Sequence, residues 1–154
     1  MALVGVVIGS KSDTDLIQPA LDILNQLGID YELSVISAHR NPEKLREYGL
    51  KAAEQGFKVM IAAAGRSAHL PGALAGWTTL PVIGVPLPTS ELNGIDALFS
   101  ISQMPAGVPV ACMGIGTSGA KNAALLAAQI LGTESEEIKK AYSRYKKNLA
   151  GEQQ

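Results

Sequence analysis

The sequence predicts a three-layer α/β domain, and two observations carry that expectation. Short apolar runs alternate along the chain with stretches in which apolar side chains recur at helical spacing. Glycine, proline and hydroxyl residues gather just after those runs, where a strand must hand the chain to a helix.

Leu3 to Ile8 is the first run. It is bounded by Gly9 and too short for a helix, so it reads as a buried parallel strand. Asp13 to Leu27 follows with Leu16, Ile17, Ala20, Leu21, Ile23, Leu24 and Leu27 on one helical face, closed by Gly28. The unit then repeats. Tyr31 to Ile36 is a strand, and Pro42 to Gln55 a helix with Asn41 as N-cap, Pro42 at its first position and Gly56 beyond its end. Val59 to Ala64, Val82 to Val85 and Val108 to Met113 supply three more strands. Leu70 to Trp77, Ile95 to Met104 and Ala120 to Leu131 supply the helices after them. Strands alternating with helices imply a five-stranded parallel sheet covered on both faces by right-handed crossovers, a flavodoxin-like arrangement.

Residues 134 to 149 stand outside the repeat. Acidic residues come early (Glu134, Glu136, Glu137) and basic ones late (Lys139, Lys140, Arg144, Lys146, Lys147), an order that suits a helix dipole. The sparse apolar positions Ile138, Ala141, Tyr142, Tyr145 and Leu149 suggest an arm laid on a surface, and the helix is expected to reach a neighbouring subunit.

The 154 residues fit one domain spanning residues 1–154, and 47% hydrophobic against 18% charged residues supply a real core. Thirteen basic and fourteen acidic residues leave a net charge of −1, so no bulk field draws nucleic acid or an anionic membrane. Cys112 alone makes no internal disulfide or multi-thiolate metal site, and the two histidines, His39 and His69, are too few to make a zinc centre on their own. No apolar run approaches the ~18 residues of a membrane span, and no basic leader precedes the first strand. A cytoplasmic protein is expected.

Ligands of open α/β sheets bind at the carboxyl ends of the strands. Four loops are expected to converge there: Gly9 to Asp13, Ser37 to Pro42, Gly65 to Gly72, and Gly114 to Gly119. In the first, Ser10, Ser12 and Asp13 offer hydroxyls and a carboxylate at a helix start, suited to phosphate or sugar; Ser12 or Asp13 would also serve as a helix cap. In the second, Arg40 offers a guanidinium fork for phosphate beside His39, an imidazole being able to move protons near neutral pH. The third is lined by small residues, with Arg66 and His69 as its polar exceptions. It is not a nucleophile elbow, because His69 stands where G-x-S-x-G requires its second glycine. Gly114, Gly116 and Gly119 spell G-x-G-x-x-G, yet the motif lies in the last βα unit, so no following strand carries a ribose-binding acid. A P-loop fails too, since Ala120 holds the lysine position. Cys112, inside an apolar run, reads as a buried small hydrophobe.

Taken together, Gly9-Ser10-Lys11-Ser12-Asp13, Ser37-Ala38-His39-Arg40, Ala68-His69-Leu70-Pro71-Gly72, and Gln103-Met104-Pro105 with Gly107-Val108-Pro109-Val110 resemble the PurE family of purine biosynthesis, the N5-carboxyaminoimidazole ribonucleotide mutases. Asn122 to Leu131 extends the likeness into the fifth helix, so it covers nearly the whole chain in order. The resemblance implies a flavodoxin-like subunit of a homo-octamer acting on a small ribonucleotide, without metal or organic cofactor. It implies Ser10 and Asp13 on ribose or phosphate, Arg40 on phosphate, and His39 as the proton-transfer group. Gly65, Ser67 and His69 would lie near the imidazole and the migrating carboxylate, with Ser12, Ser37, Ala38 and Leu70 completing the substrate site. Two departures stand out. Gly65-Arg66-Ser67 resembles a second class of the family, which carboxylates aminoimidazole ribonucleotide with free CO2, whereas His69-Leu70-Pro71-Gly72 resembles the mutases. Thr117-Ser118-Gly119 replaces a lysine-containing loop. A non-catalytic nucleotide-binding module is the reading from another class, and His39 counts against it because phosphate binding needs only Arg40 and backbone donors.

Overall fold

A computed structural model of the chain describes residues 1–151, and residues 152–154 of the expected domain lie outside the described part. Five parallel strands form one sheet in the order β2-β1-β3-β4-β5: β1 (Val4–Ile8), β2 (Tyr31–Val35), β3 (Val59–Gly65), β4 (Val82–Leu87) and β5 (Ala111–Cys112). Six α-helices accompany them: α1 (Thr14–Gln26), α2 (Pro42–Lys51), α3 (Leu70–Trp77), α4 (Ile95–Ser102), α5 (Thr117–Leu131) and α6 (Glu136–Gly151). A single 3-10 turn, Lys11–Asp13, precedes α1. The expected class and strand count hold.

Strand alternation sorts the side chains into two cores. Val4, Val6 and Ile8 of β1, with Val59, Ile61 and Ala63 of β3 and Ile83, Val85 and Leu87 of β4, face α1 and α5. Val7, Met60, Ala62, Ala64 and Val82 face α2, α3 and α4. Central strands β1, β3 and β4 are buried on both faces, apart from the last residue of β3, which is why they read as unbroken apolar runs. Helix α5 meets the sheet through Ala120, Ala123, Ala124, Ala127 and Ala128, all fully buried. Small side chains let the helix backbone sit close to the strands.

Several boundaries differ from the expected ones. The fifth strand shrinks from the expected 108–113 to Ala111–Cys112, because it is an edge strand preceded by Pro109, which has no N–H to give to the ladder. Cys112 is consequently half-buried rather than buried, and burial still pushes its thiol up. Helix α2 stops at Lys51, and the chain continues in turns to Gly56, whose φ of 93° ends them. Helix α4 ends at Ser102 rather than Met104, with Gln103 as its C-cap.

Helix α5 starts at Thr117, three residues earlier than the spacing suggests. Gly119 therefore lies inside its first turn, where a Cβ would run into the carbonyl of Gly114. The G-x-G-x-x-G run is a close-packing device at the strand-to-helix turn.

Helix α6 lies on its own domain over its first turns. Ile138 is buried, and Ala141 and Tyr145 pack beside it against the α1/α5 core, a stripe at i, i+3 and i+7. Leu149 near its end stays 46% exposed.

Replacing Gly119 by alanine is expected to lower unfolding stability by about 1–3 kcal/mol, the usual cost of forcing a methyl into a filled space. Urea denaturation followed by circular dichroism measures it. An unchanged midpoint would show that the Gly114 carbonyl does not confine this position.

Candidate active site

The strand order reverses between β1 and β3. Helix α1, after β1, packs on one face, whereas α3, after β3, packs on the other. The loops leaving the two strands diverge and leave a cleft of about 700 Å³ at the carboxyl edge of the sheet.

All of the expected site residues line this cleft: Ser10, Ser12, Asp13, Ser37, Ala38, His39, Arg40, Gly65, Ser67, His69 and Leu70. Gly9, Ala64, Arg66 and Thr89 complete its wall. The fourth loop expected there, Gly114 to Gly119, is not among the lining residues. It follows β5 at the far edge of the sheet, two strands beyond the reversal point, so the topology keeps it away.

Thr89 is the residue the sequence reading missed. With the fourth strand expected to end at Val85, none of the four loops expected at the cleft follows it. The strand runs two residues further, through Pro86 to Leu87, and so delivers Thr89 next to Gly65. A Cβ on Gly65 would collide with the Thr89 hydroxyl, which explains glycine at the end of β3. The hydroxyl-bearing Pro88-Thr89-Ser90 run was the available signal.

In the first loop the cap is Ser10 rather than the expected Ser12 or Asp13. Ser10 is the cap of the 3-10 turn, its Oγ accepting from the Ser12 N–H at 3.3 Å and lying 2.9 Å from the Ser12 hydroxyl. Asp13 occupies the N-cap position of α1 but makes no capping bond through its side chain. Only 9% exposed, it is the one buried polar or charged residue among the described residues. Burial pushes its carboxyl above the ordinary aspartate range, and a hydrogen bond from the Ser10 backbone offsets part of that rise. A carboxylate held against desolvation, unused by the helix and lining a cleft is equipped to accept hydrogen bonds from a ligand's hydroxyls.

In the second loop the Ser37 hydroxyl accepts from the Arg40 N–H at 3.2 Å, and the Ser37 carbonyl accepts from the Asn41 N–H at 2.9 Å. This turn aims His39 and Arg40 into the cleft. Asn41 then caps α2 through its side chain, with Pro42 in the first turn, as the spacing suggests. In the third loop His69 holds the N-cap position of α3, and the side chain of Leu70 is buried beneath it.

The two imidazoles meet across the cleft. Nε2 of His39 lies 2.6 Å from Nδ1 of His69, and the rings are nearly perpendicular at 86°. Such a contact holds one N–H facing one bare nitrogen, so a single hydrogen bond ties the two rings together. The arrangement supplies a proton carrier with a fixed orientation, flanked by guanidinium and hydroxyl groups. Among the described residues no group of three histidine, cysteine or acidic side chains could hold a metal ion.

Residues 3–152 match the family model described as AIR carboxylase. The chain belongs to the AIR carboxylase family. It is 51% identical over 152 residues to the N5-carboxyaminoimidazole ribonucleotide mutase of Thermotoga maritima, covering 99% of this chain and 88% of that one. The mutase of Bacillus subtilis is 52% identical over 146 residues, covering 95% and 90%. Among solved structures, a serine-to-aspartate variant of Treponema denticola PurE2 superposes with a TM-score of 0.88 at 30% identity, covering 99% of this chain and 94% of that one. Treponema denticola PurE superposes with a TM-score of 0.84 at 31% identity over the same shares.

Because the folded state keeps the Asp13 proton at pH values where an unfolded chain has lost it, this group's contribution to stability falls as pH rises above about 3.9. Asp13→Asn is therefore expected to raise the unfolding temperature at pH 7, the gain fading as pH is lowered through the carboxylate range. Thermal unfolding at a series of pH values tests this. A variant less stable at pH 7 would make the carboxylate structural.

Proposed function

We propose that this chain is an N5-carboxyaminoimidazole ribonucleotide mutase of purine biosynthesis, an isomerase that moves a carboxylate from the exocyclic N5 to ring carbon C4 of the ribonucleotide. The observation that carries this reading is identity of 51 to 52% with curated mutases over nearly the whole chain. In this reading Arg40 grips the phosphate, and Ser10 and Asp13 hold ribose or phosphate. Ser12, Ser37, Ala38 and Leu70 complete the wall. Gly65, Ser67 and His69 surround the imidazole and the carboxylate in transit.

The chemistry breaks the N5–carboxylate bond to give CO2 and forms a bond from C4 to that CO2. One proton must leave C4 and one must reach N5. His39 carries it and ends each cycle in the protonation state in which it began. The 2.6 Å contact with His69 supports this role, because it fixes the His39 ring and gives the travelling proton a second basic site. Small walls at Gly9, Ala38, Ala64 and Gly65 bring backbone close to the ligand and leave little room for water around CO2.

The further expectations of a homo-octamer in the cytoplasm belong to the same reading. Leu92 just before α4, and Ile95 and Phe99 on it, are 53 to 62% exposed, apolar side chains that association would cover. Among the described residues no helix is long and apolar enough to cross a membrane. Light scattering at micromolar concentration is expected to report a closed oligomer of eight subunits, and a monomer would overturn that expectation.

The deciding assay supplies N5-carboxyaminoimidazole ribonucleotide in CO2-depleted buffer, and separately aminoimidazole ribonucleotide with varied bicarbonate. Turnover of the first supports the mutase, whereas turnover confined to the second would make the chain a CO2-dependent carboxylase. His39→Asn should keep fold and nucleotide affinity while losing about 10²- to 10⁴-fold in kcat, since an amide hydrogen-bonds but moves no proton. An active variant would remove His39 from the mechanism.

A further inference from the structure

Arg66 lines the cleft without a part in phosphate binding or proton transfer. Its backbone is left-handed, with φ 57°. Among the described residues only one other non-glycine residue has positive φ, Asn93 at 52°. Both flank the same contact. Arg66 Nη1 lies 3.7 Å from Glu91 Oε2, joining the loop after β3 to the loop after β4 across the mouth of the cleft. Strained backbone that persists in two facing loops points to a function for what it positions.

That contact is a weak one. The two side chains are 67% and 89% exposed, so water and salt compete with the pair. Asp96, at the start of α4, adds a second carboxylate close enough to feel the Arg66 charge. The guanidinium is held within reach of the cleft by groups that give it up easily.

The cleft carries two arginines, Arg40 after β2 and Arg66 after β3. With β1 between them, the loops stand two strand spacings apart, about 10 Å. A ligand with an anion at each end suits that separation. Building on the mutase reading, we propose that Arg66 recognises the transferable carboxylate of the ribonucleotide, exchanging Glu91 for that carboxylate when substrate binds. Arg40 then serves the phosphate end, and Arg66 discriminates carboxylated from non-carboxylated ribonucleotide.

Glycine is at home at φ 57°, so Arg66→Gly removes the guanidinium without disturbing the turn. Calorimetric titration of the intact enzyme compares the C4-carboxylated ribonucleotide with the non-carboxylated aminoimidazole ribonucleotide. In Arg66→Gly the first is expected to weaken about 10- to 100-fold, as for a lost charge-assisted hydrogen bond, and the second by no more than about twofold. Glu91→Gln frees the guanidinium and should tighten the carboxylated ligand by about two- to fivefold at low salt, an effect that fades at high salt. Equal losses for both ligands, or none, overturn the assignment. A wild type that interconverts the two carboxylated ribonucleotides while Arg66→Gly binds them unchanged overturns the Arg66 role and spares the function. A wild type that neither interconverts nor binds them overturns both.

Discussion

The handedness of the crossovers is the constraint on which this molecule depends. A right-handed connection that steps from β1 to β2 must place its helix on one face of the sheet, and one that steps the opposite way, from β3 to β4, must use the other. The loops leaving β1 and β3 are thereby pulled apart at their carboxyl ends, and the cleft is the gap that remains. No side chain has to be spent on opening it. Residues distant in sequence, such as Ser10, His39 and His69, arrive at one place because the sheet order brings three adjacent strand ends together.

Much of this was legible in the sequence because period and punctuation are local properties. The central strands are buried on both faces and so read as unbroken apolar runs; Asn41-Pro42 marks a helix start through the chemistry of its own side chain and ring. What the sequence hid was non-local. The length of β5 depends on which strand neighbours it and on the missing N–H of Pro109. Thr89 enters the site only because β4 continues past Val85 through Pro86, a residue that normally ends a strand. The exclusion of Gly114 to Gly119 follows from strand order, which no run of residues encodes by itself. The residues of helix α6 likewise carry no sign of what they rest on. Ile138, Ala141 and Tyr145 find α5 and the end of α1 of their own chain, a pairing visible only once the sheet is assembled.

The charges of the site divide its labour. Two guanidinium groups stand on loops either side of β1, two imidazoles are joined by one hydrogen bond, and the carboxylate of Asp13 is buried by the first loop. Cations on exposed loops lose little by desolvation and keep enough freedom to meet a ligand anion. The acid is treated differently, because an acceptor for neutral hydroxyls gains from low surrounding dielectric once its partner arrives. The same burial that penalises the free carboxylate strengthens the bond it makes when occupied.

The stability of the domain and the chemistry of its cleft are kept in separate parts of the chain. Apart from the buried Tyr48 hydroxyl, the two cores are built from side chains that demand little polar satisfaction, and each large aliphatic residue they bury contributes about 1.5–3 kcal/mol. The features that work against folding gather at the mouth of the cleft instead: a desolvated carboxylate at Asp13 and left-handed backbone at Arg66 and Asn93. Each belongs to a loop anchored at the end of β1, β3 or β4, strands whose side chains are almost wholly buried. Such an anchor can hold a strained turn in one conformation, where a mobile loop would relax and lose the orientation of its side chain. The rigid sheet is therefore what allows a site of unfavourable local geometry to persist.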